Sequence, residues 1–559
     1  MLRRMIAAVV SLTIVGVLAG CVGIPTSGSV TVGQNLTQRD SASFEYFPLA
    51  PATGASQEAI VRGFVAAFTG SAGDFAVARQ FLTTKFAAEW NPRRSVTVRS
   101  STERFFPIDS ATMQYSVGAV ASVSNVGAYR QNSSPESTSF QFHFVQQRGQ
   151  WRIDQAPDGI VLSDATFRSL FDRHSLYFFD PSNTHLVPDQ RWFPGGTAPL
   201  RIVSALLDGP PPWLRGAVRT AFPEGTKLAT PSVDVQSGTA IVDLSPAVLA
   251  ADTAERQLLQ LQLSASLANV GNIRSVSVSV GGTPMVISDS LGAASRLDPQ
   301  VDSRPLVLQG NSFGFLAAKD LAVLSQLSAK VVASGARAGT MASDAASVAV
   351  LGTAGVSLVR AGTAATVVLD DRPGLLAPAL DNYFFVWSVV RSVPGSLRVT
   401  SVTGVASELS TGFPTEDKVV SIDVSRDGTR LAIFLNTATG TRVVVRSIIR
   451  DAATSQRPVG LGEAILDIGT ATGVAVDATW VDDLSVATLE NTNGTSSVMV
   501  YEVGGDRTPL GQPAPSSSLI GGNGQSGLRT VTLAGTIAAR SGNGWNDTGV
   551  PVAFIATQQ

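Results

Sequence analysis

Hydrophobic and polar positions change their rhythm several times along the chain, and each rhythm predicts a different kind of structure. Met5 to Gly20 is an uncharged run of mainly Ile, Ala, Val and Leu behind Arg3 and Arg4. A short apolar core behind a positive start is the layout of a secretory signal, and this one is shorter than the roughly 20 residues that span a bilayer comfortably. Residues 21–50 lose sustained apolar periodicity and are rich in Gly, Ser, Thr and Gln, which predicts a tether. From Gly54 a helical period sets in. Ser56 is placed to cap a helix that turns Ile60, Phe64, Ala67 and Phe68 to one face and ends near Gly70. Asp74 is placed to cap a second helix that carries Val77, Phe81 and Leu82 inward.

Beyond Pro92 the period falls to two: Val96 and Val98, Met113 to Val123, then Phe140, Phe142 and Phe144 ahead of Trp151-Arg152-Ile153. Two helices followed by a curved antiparallel sheet predict a cone-like α+β domain over 51–165. Residues 166–295 then read as a strand at Leu176–Pro181, a short helix at about Leu200–Leu207 closed by Gly209-Pro210-Pro211-Pro212, and a turn at Ala221–Thr226. A hairpin turns at Gln236-Ser237-Gly238-Thr239, a helix over Asp252–Ala268 places Leu258 and Leu261 on its inner face, and Val276, Val278 and Val280 mark a last strand. That order predicts a compact α/β sandwich. Arg296-Leu297-Asp298-Pro299-Gln300 bridges two composition regimes and reads as a linker with few cross-contacts, open to proteases over 296–305.

Over 305–559 helical periodicity largely disappears. Short Val, Ala, Leu and Ile runs follow related turns at Ala342-Ser343-Asp344, Leu380-Asp381-Asn382, Ser425-Arg426-Asp427-Gly428, Val481-Asp482-Asp483 and, more weakly, Arg540-Ser541-Gly542-Asn543-Gly544. An Asp in such a turn bonds its own backbone while the chain reverses. Spacing of roughly 40 to 60 residues falls in the range of propeller blades and predicts five or six of them, with a sandwich as the alternative. The expected fold is therefore multidomain: two α+β domains followed by an all-β propeller-like domain.

Composition sharpens this reading in two places. In 559 residues there are 41 basic and 43 acidic side chains, a net charge of -2, so no global bias toward nucleic acid or anionic lipid is present. Cys21 is the single cysteine, so it has no partner for an internal disulfide or a cysteine-based metal site. It follows Leu18, Ala19 and Gly20, whose small residues suit a signal peptidase, and its thiolate suits transfer of a diacylglyceryl group. Cleavage before Cys21, with S-diacylglycerol and N-acyl attachment there, predicts a protein held by lipid on the outer face of the cytoplasmic membrane. Two or more acyl chains anchor stably where a single one binds only marginally.

Catalytic chemistry is hard to find. Of the three histidines, His143, His174 and His185, no two lie at the i, i+4 spacing of a zinc helix, and no P-loop or Gly-x-Ser-x-Gly elbow occurs. His143, between aromatic strand residues, reads as a polar residue that sets the strand's outer face. No metal and no cofactor is expected. A propeller glycosidase would need two carboxylates in its mouth, for which Asp381, Asp427 and Asp482 are candidates, but their place in repeated turns favours an architectural role. Trp192 and Trp213 are candidates to anchor a partner, with packing as the plainer reading.

Several of these segments carry a family resemblance. The lipobox with the following Gly23-Ile24-Pro25-Thr26-Ser27-Gly28, the helix start at Gly54-Ala55-Ser56 with Ile60-Val61-Arg62-Gly63-Phe64, and Ala78-Arg79-Gln80-Phe81-Leu82-Thr83 with Trp90 and Pro92 resemble the actinobacterial LpqB lipoproteins. Tyr177–Pro181, Gly209–Pro212 and Arg219–Thr226 resemble the GerMN domain of that family. The resemblance implies a non-enzymatic lipoprotein that associates with a sensor histidine kinase of the Mtr two-component type. It would modulate that kinase from outside the membrane, with effects on envelope homeostasis and division. The alternative is a cell-envelope enzyme acting on glycan or peptide through carboxylates in the propeller mouth.

Overall fold

The computed structural model describes residues 48–559 apart from 71, 289–294, 364, 455 and 472. Leu18, Ala19, Gly20, Cys21 and the tether as far as residue 47 lie outside the described residues. In the first domain, α1 (Gln57–Ala66) starts where Ser56 accepts a hydrogen bond from the Ala59 amide, and it buries Ile60, Val61 and Phe64. The next helix, α2 (Ala72–Arg79), departs from expectation. Gly73, Asp74 and Phe75 all lie in the left-handed region, so Asp74 caps nothing. Its carboxylate pairs instead with Arg79 at 2.5 Å and Arg93 at 3.0 Å. This detour brings the buried Phe75 edge-on to the Trp90 ring. Phe81 and Leu82 are buried as expected, but just past the helix, and Thr83 caps an unpredicted α3 (Thr84–Glu89).

Five strands follow: β1 (Ser95–Pro107), β2 (Thr112–Ser124), β3 (Tyr129–Gln147), β4 (Gln150–Gln155) and β5 (Ile160–Ser163). They form one sheet in the order β4-β3-β2-β1-β5, antiparallel except that β5 runs parallel to β1. Inward residues of this sheet, among them Val98, Tyr115, Phe144 and Ile153, share one core with Phe64 and Trp90 of the helical layer. The β1–β2 turn and the β3–β4 turn lie at one end of the sheet, beside the start of α1. There the Gly54 amide donates to Gln150 Oε1 and Gln57 Nε2 donates to the Ser110 carbonyl. The β2–β3 turn lies at the other end, where the Trp192 amide donates to the Gly127 carbonyl.

A short α4 (Asp164–Leu170) leads into the second domain. Its first hairpin pairs β6 (Phe171–Phe179) with β7 (Leu186–Pro194). The sequence pattern missed β7, because Pro188-Asp189-Gln190-Arg191 looks like a polar loop although all four residues are buried. After α5 (Ala198–Leu207), β8 (Asp234–Gln236) and β9 (Thr239–Leu244) form the expected hairpin. The next helix, α6 (Thr253–Leu267), opens with a reciprocal capping box between Asp252 and Glu255.

The buried face of α6 is Leu259, Gln262, Leu263, Ser266 and Leu267, not the expected Leu258 and Leu261, which are half-buried. Gln262 sets that rotation. Its amide donates to the Tyr177 carbonyl at 2.8 Å and accepts from the Ala221 amide at 2.9 Å, so a polar residue is fully satisfied inside. Finally β10 (Ser275–Val280) lies parallel to β9 and closes the sheet with β11 (Thr283–Pro284).

The third domain is a ring of six antiparallel blades, five of them four-stranded; in the fourth blade the strand Gly440–Asp451 pairs with both Arg457–Leu461 and Leu466–Ala471, which makes five. The inner strands, in order, are Phe554–Gln558, Ala338–Met341, Ala379–Leu380, Lys418–Val424, Val474–Trp480 and Ser516–Ile520. Each neighbours the next and the last neighbours the first, so the ring closes. Blade 1 is composite. Its inner strand Phe554–Gln558 pairs antiparallel with Leu306–Gln309 and then touches blade 2 in parallel, through Thr340 and Thr557.

Four of the five turns picked out from sequence occupy one position, between the inner and second strands of a blade. In each, an Asp side chain accepts from the amide two residues on: Asp344 from Ala346, Asp381 from Tyr383, Asp427 from Thr429 and Asp482 from Leu484. The fifth, at 540–544, is out of phase, since it joins the third and fourth strands of blade 6. The equivalent turn there lies between Ser516–Ile520 and Arg529–Thr532, a Gly-Gly-Asn-Gly stretch without Asp.

The segment expected to be a loose linker is bound on both sides. The Leu186 amide donates to the Arg296 carbonyl, Arg426 donates to the Pro299 carbonyl, and Asn523 bonds both the amide and the carbonyl of Val301. Protease access needs local opening, which these bonds oppose. Limited proteolysis of the folded protein is therefore expected to spare 295–301. Mass mapping of early fragments with a main cut inside that stretch would contradict this.

Candidate functional site

The turns of blades 3 to 5 meet the second domain and build the most heavily bonded polar site of the described chain. In blade 3, Asp381 accepts from the Tyr383 and Phe385 amides, from Trp387 Nε1 and, at 2.7 Å, from Arg450. Asp381 and Arg450 are both fully buried, and the guanidinium lies over the Tyr383 ring, 4.4 Å from its centroid. That fixes the phenol, which donates to Asp180 of the second domain at 2.5 Å. Burial pushes the Asp180 carboxyl up, but hydrogen bonds from His185, Ser182 and Tyr383 outweigh it and hold the group well below the usual carboxylate range.

In blade 4, Asp427 pairs with the buried Arg430, whose guanidinium lies 4.8 Å from the Trp480 ring centroid. Burial works against the Asp427 anion, and Arg430 and Thr429 more than offset it, so its pKa is lowered. Asp482 caps its own turn. The three carboxylates proposed from sequence for a catalytic mouth are thus each engaged in blade architecture, two of them in buried ion pairs.

Sequence reasoning missed a different set of acids. Burial pushes Asp423 and Asp477 up to about 6 and Asp483 up to about 7, the last also through Asp298, Asp482 and Asp427 against the opposing pull of Arg430. Asp423 of blade 4 accepts from the Trp480 amide of blade 5, and Asp477 of blade 5 accepts from the Leu519 amide of blade 6. They stitch neighbouring blades together. Nothing in their local sequence marks this, because the partners lie 42 to 57 residues away.

A pH dependence follows. An acid whose folded pKa is raised binds more protons folded than unfolded, so stability falls as pH rises from the unfolded value near 4 to the folded one. For Asp483 that window runs from about 4 to 7. The urea midpoint of the propeller is expected to fall between pH 5 and 7.5, and Asp483→Asn is expected to flatten the profile over that window. An unchanged slope in that variant would contradict the assignment.

Both candidate anchor tryptophans work inside the chain. Trp192 is buried against Tyr129 and Phe167 of the first domain and donates its indole N–H to the Gly504 carbonyl of blade 5 at 3.0 Å. Trp213 donates to Asp189 and packs against the cores of both the second domain and the propeller. Around Trp192, Asp506 of blade 5 accepts from Tyr129 and Arg168, each at 2.8 Å, and Glu502 pairs with Gln190 and Arg173. One blade therefore holds both preceding domains.

The histidines are scattered. His143 bonds Asp154 at 2.6 Å on the outer face of the first sheet, and His185 bonds Thr184 at 2.9 Å. His174 is buried against Phe193 with neither ring nitrogen hydrogen-bonded, and burial lowers its pKa. Among the described residues no group of three or more His, Cys, Asp or Glu is arranged to hold a metal ion. Nor is any described helix long and apolar enough to cross a membrane. Small clefts occur among the described residues. One of about 220 Å³ lies between α1, β1 and β5, where Glu103 bridges Arg62 and Arg99. One of about 290 Å³ lies beside the Arg219–Pro223 turn.

The fold thus defines a multidomain protein in which two α+β domains are docked on one six-bladed propeller. Three family models match it in succession: the N-terminal domain of lipoprotein LpqB over 50–168, the sporulation and spore germination domain over 175–286, and the lipoprotein LpqB β-propeller domain over 323–551. The chain belongs to the LpqB lipoprotein family. It is 31% identical over 275 residues to lipoprotein LpqB of Cutibacterium acnes, covering 49% of this chain and 46% of that relative. With lipoprotein LpqB of Mycobacterium paratuberculosis it shares 25% identity over 558 residues, 90% of each. In the first of these alignments the matched region thus spans just under half of the relative's length. Among solved structures, TolB from Acinetobacter baumannii overlays 39% of this chain and 56% of its own at 14% identity and a TM-score of 0.31.

Proposed function

We propose that this protein is a lipid-anchored lipoprotein on the outer face of the cytoplasmic membrane that binds the extracytoplasmic domain of an Mtr-type sensor histidine kinase and modulates its output. In this reading it catalyses no reaction and acts on envelope homeostasis and division through the kinase. The observation that carries it is the joining of three domains into one scaffold whose conspicuous acids and aromatics are engaged in holding it together. Such a scaffold presents surface to a partner, and the names of its relatives and the lipobox at Leu18-Ala19-Gly20-Cys21 support placing it at a membrane. Confinement by lipid attachment at Cys21 raises the effective concentration beside a membrane kinase, so a weak contact becomes well occupied.

The test is kinase autophosphorylation in reconstituted vesicles, comparing the lipidated chain with a soluble chain from residue 30 at equal concentration. A clear change with the lipidated chain and a weaker one with the soluble chain is expected. No binding and no change with either would overturn the reading. Turnover of a glycan or peptide would favour the envelope-enzyme alternative, against which the buried pairing of Asp381 and Asp427 counts. Mass spectrometry of the mature amino terminus tests the anchor separately, since an unmodified Cys21 peptide in processed protein would refute it.

A further inference from the structure

We infer that the end of the first domain farthest from the propeller, carrying the Phe106-Pro107-Ile108 turn, is a second membrane contact that rests in the lipid interface. The inference rests on the lipid-anchor reading above for its orientation, and on four observations for its substance.

Where the described chain begins is the first of these. Gly54 and Gln57 are hydrogen-bonded to Gln150 and Ser110, so the chain enters the fold at the end formed by the β1–β2 and β3–β4 turns. Residues 22–47 separate Cys21 from that point, and 26 residues reach at most about 90 Å when fully extended. An anchor at Cys21 therefore keeps this end, where the chain enters the fold, within that reach of the bilayer.

Second, this end exposes apolar side chains among the exposed Asp109, Ser110 and Arg148 of its two turns. Phe106 is 47% and Ile108 49% exposed. Single exposed apolar residues are common, but Phe106 and Ile108 share the end at which the chain enters the fold. Third, the opposite end is occupied. Thirteen residues of β2 put about 40 Å between the two ends, and the far end is covered by Trp192 and by Asp506 of the propeller. With that end committed, the free tip is the part of the domain that faces the membrane.

Fourth, the tip is already ordered. The Ile108 amide donates to the Thr112 carbonyl at 2.9 Å, the Ala111 amide to Asp109 Oδ1 at 2.7 Å, and Gln57 holds Ser110. A preformed turn loses little conformational freedom on insertion, so most of the burial of Phe106 and Ile108 appears as affinity. The occupant is a lipid surface rather than a second protein, because an anchor at Cys21 keeps the entry end of every copy within reach of lipid.

Cys21 is the only cysteine, and lipidation consumes its thiol, so Phe106→Cys in the full lipidated chain supplies one free thiol for an environment-sensitive fluorophore. In vesicles of phosphatidylcholine and phosphatidylglycerol this label is expected to brighten several-fold, shift to the blue and be quenched by nitroxide lipids. A label at the exposed propeller turn, Leu533→Cys, is expected to do none of these. Ile108→Cys repeats the measurement should the first variant misfold. Aqueous labels at 106 and 108 in vesicle-bound protein would overturn the proposal, as would shielding of the tip that grows with protein concentration without vesicles, which would assign it to a second copy.

A separate arm uses the chain from Val22, which keeps every described residue and lacks the anchor. Phe106→Ser with Ile108→Ser is expected to weaken its vesicle partitioning at least about tenfold. Equal partitioning of the two would refute the tip contact. If instead the full chain carried no lipid, the anchor reading alone would fail, and this arm would still decide the tip.

Discussion

Removing Phe554–Gln559 is expected to unfold the propeller rather than to trim it. Those residues supply the inner strand of blade 1, paired with Leu306, Val307 and Leu308 on one side and with Thr340 and Met341 on the other. Phe554, Ile555 and Ala556 are buried, Gln558 donates to the Asp302 and Arg304 carbonyls, and Gln559 donates to the Met341 and Val424 carbonyls. Losing a buried Phe and a buried Ile costs about 3–5 and 2–5 kcal/mol. Opening the ring adds unpaired edges on two blades. The sum is comparable to the whole stability of a domain, about 5–15 kcal/mol. Urea titration followed by tryptophan fluorescence is expected to lose the propeller transition or shift it far down. A truncated chain with an unchanged midpoint would show that the ring does not close through this strand.

Asp381→Ala is expected to be the most damaging single substitution in the propeller's turns. It leaves Arg450 fully buried without its counter-charge, and it removes the acceptor of the Tyr383 and Phe385 amides and of Trp387 Nε1. Breaking a buried pair by deleting one partner costs about 3–5 kcal/mol, because the remaining charge stays desolvated. Arg450 keeps its bonds to the Gly428 and Gln456 carbonyls, which soften but do not replace the loss. The same change frees Tyr383, so the contact with Asp180 and the docking of the second domain weaken as well. Chemical denaturation gives the first effect, and increased cleavage within 295–301 reports the second. Destabilisation below about 1 kcal/mol would mean that the pair contributes little.

The two effects differ in how far sequence could anticipate them. The Asp of each blade turn was legible, because an Asx turn is made within three residues and repeats at four blades in register. Its burial and its Arg450 partner, 69 residues away, were not. The fifth repeat went wrong for a related reason: blade 6 uses glycines where blades 2 to 5 use Asp, and the similar-looking stretch at 540–544 is the turn between its third and fourth strands. The inner face of α6 was shifted because hydrophobic periodicity cannot foresee Gln262 being satisfied by the Tyr177 and Ala221 backbone. Strand β7 was invisible because Asp189, Gln190 and Arg191 are buried with partners supplied by Trp213, Glu502 and the Val126 carbonyl.

By itself, then, the sequence determined what depends on local order: the helix cap at Ser56, the helix from Asp252, the alternation of β1 to β4, the hairpin at Ser237-Gly238, the Asp turns, and the mixture of two α+β domains with a propeller. Tertiary structure alone decided the blade number, the closure through Phe554–Gln558, the turning inward of Trp192 and Trp213, and the binding of 295–301 between two domains. Those outcomes depend on pairs of groups tens to hundreds of residues apart. Burial decides there whether a polar side chain is a solvated surface group or a structural bond, and no short window of sequence holds both partners.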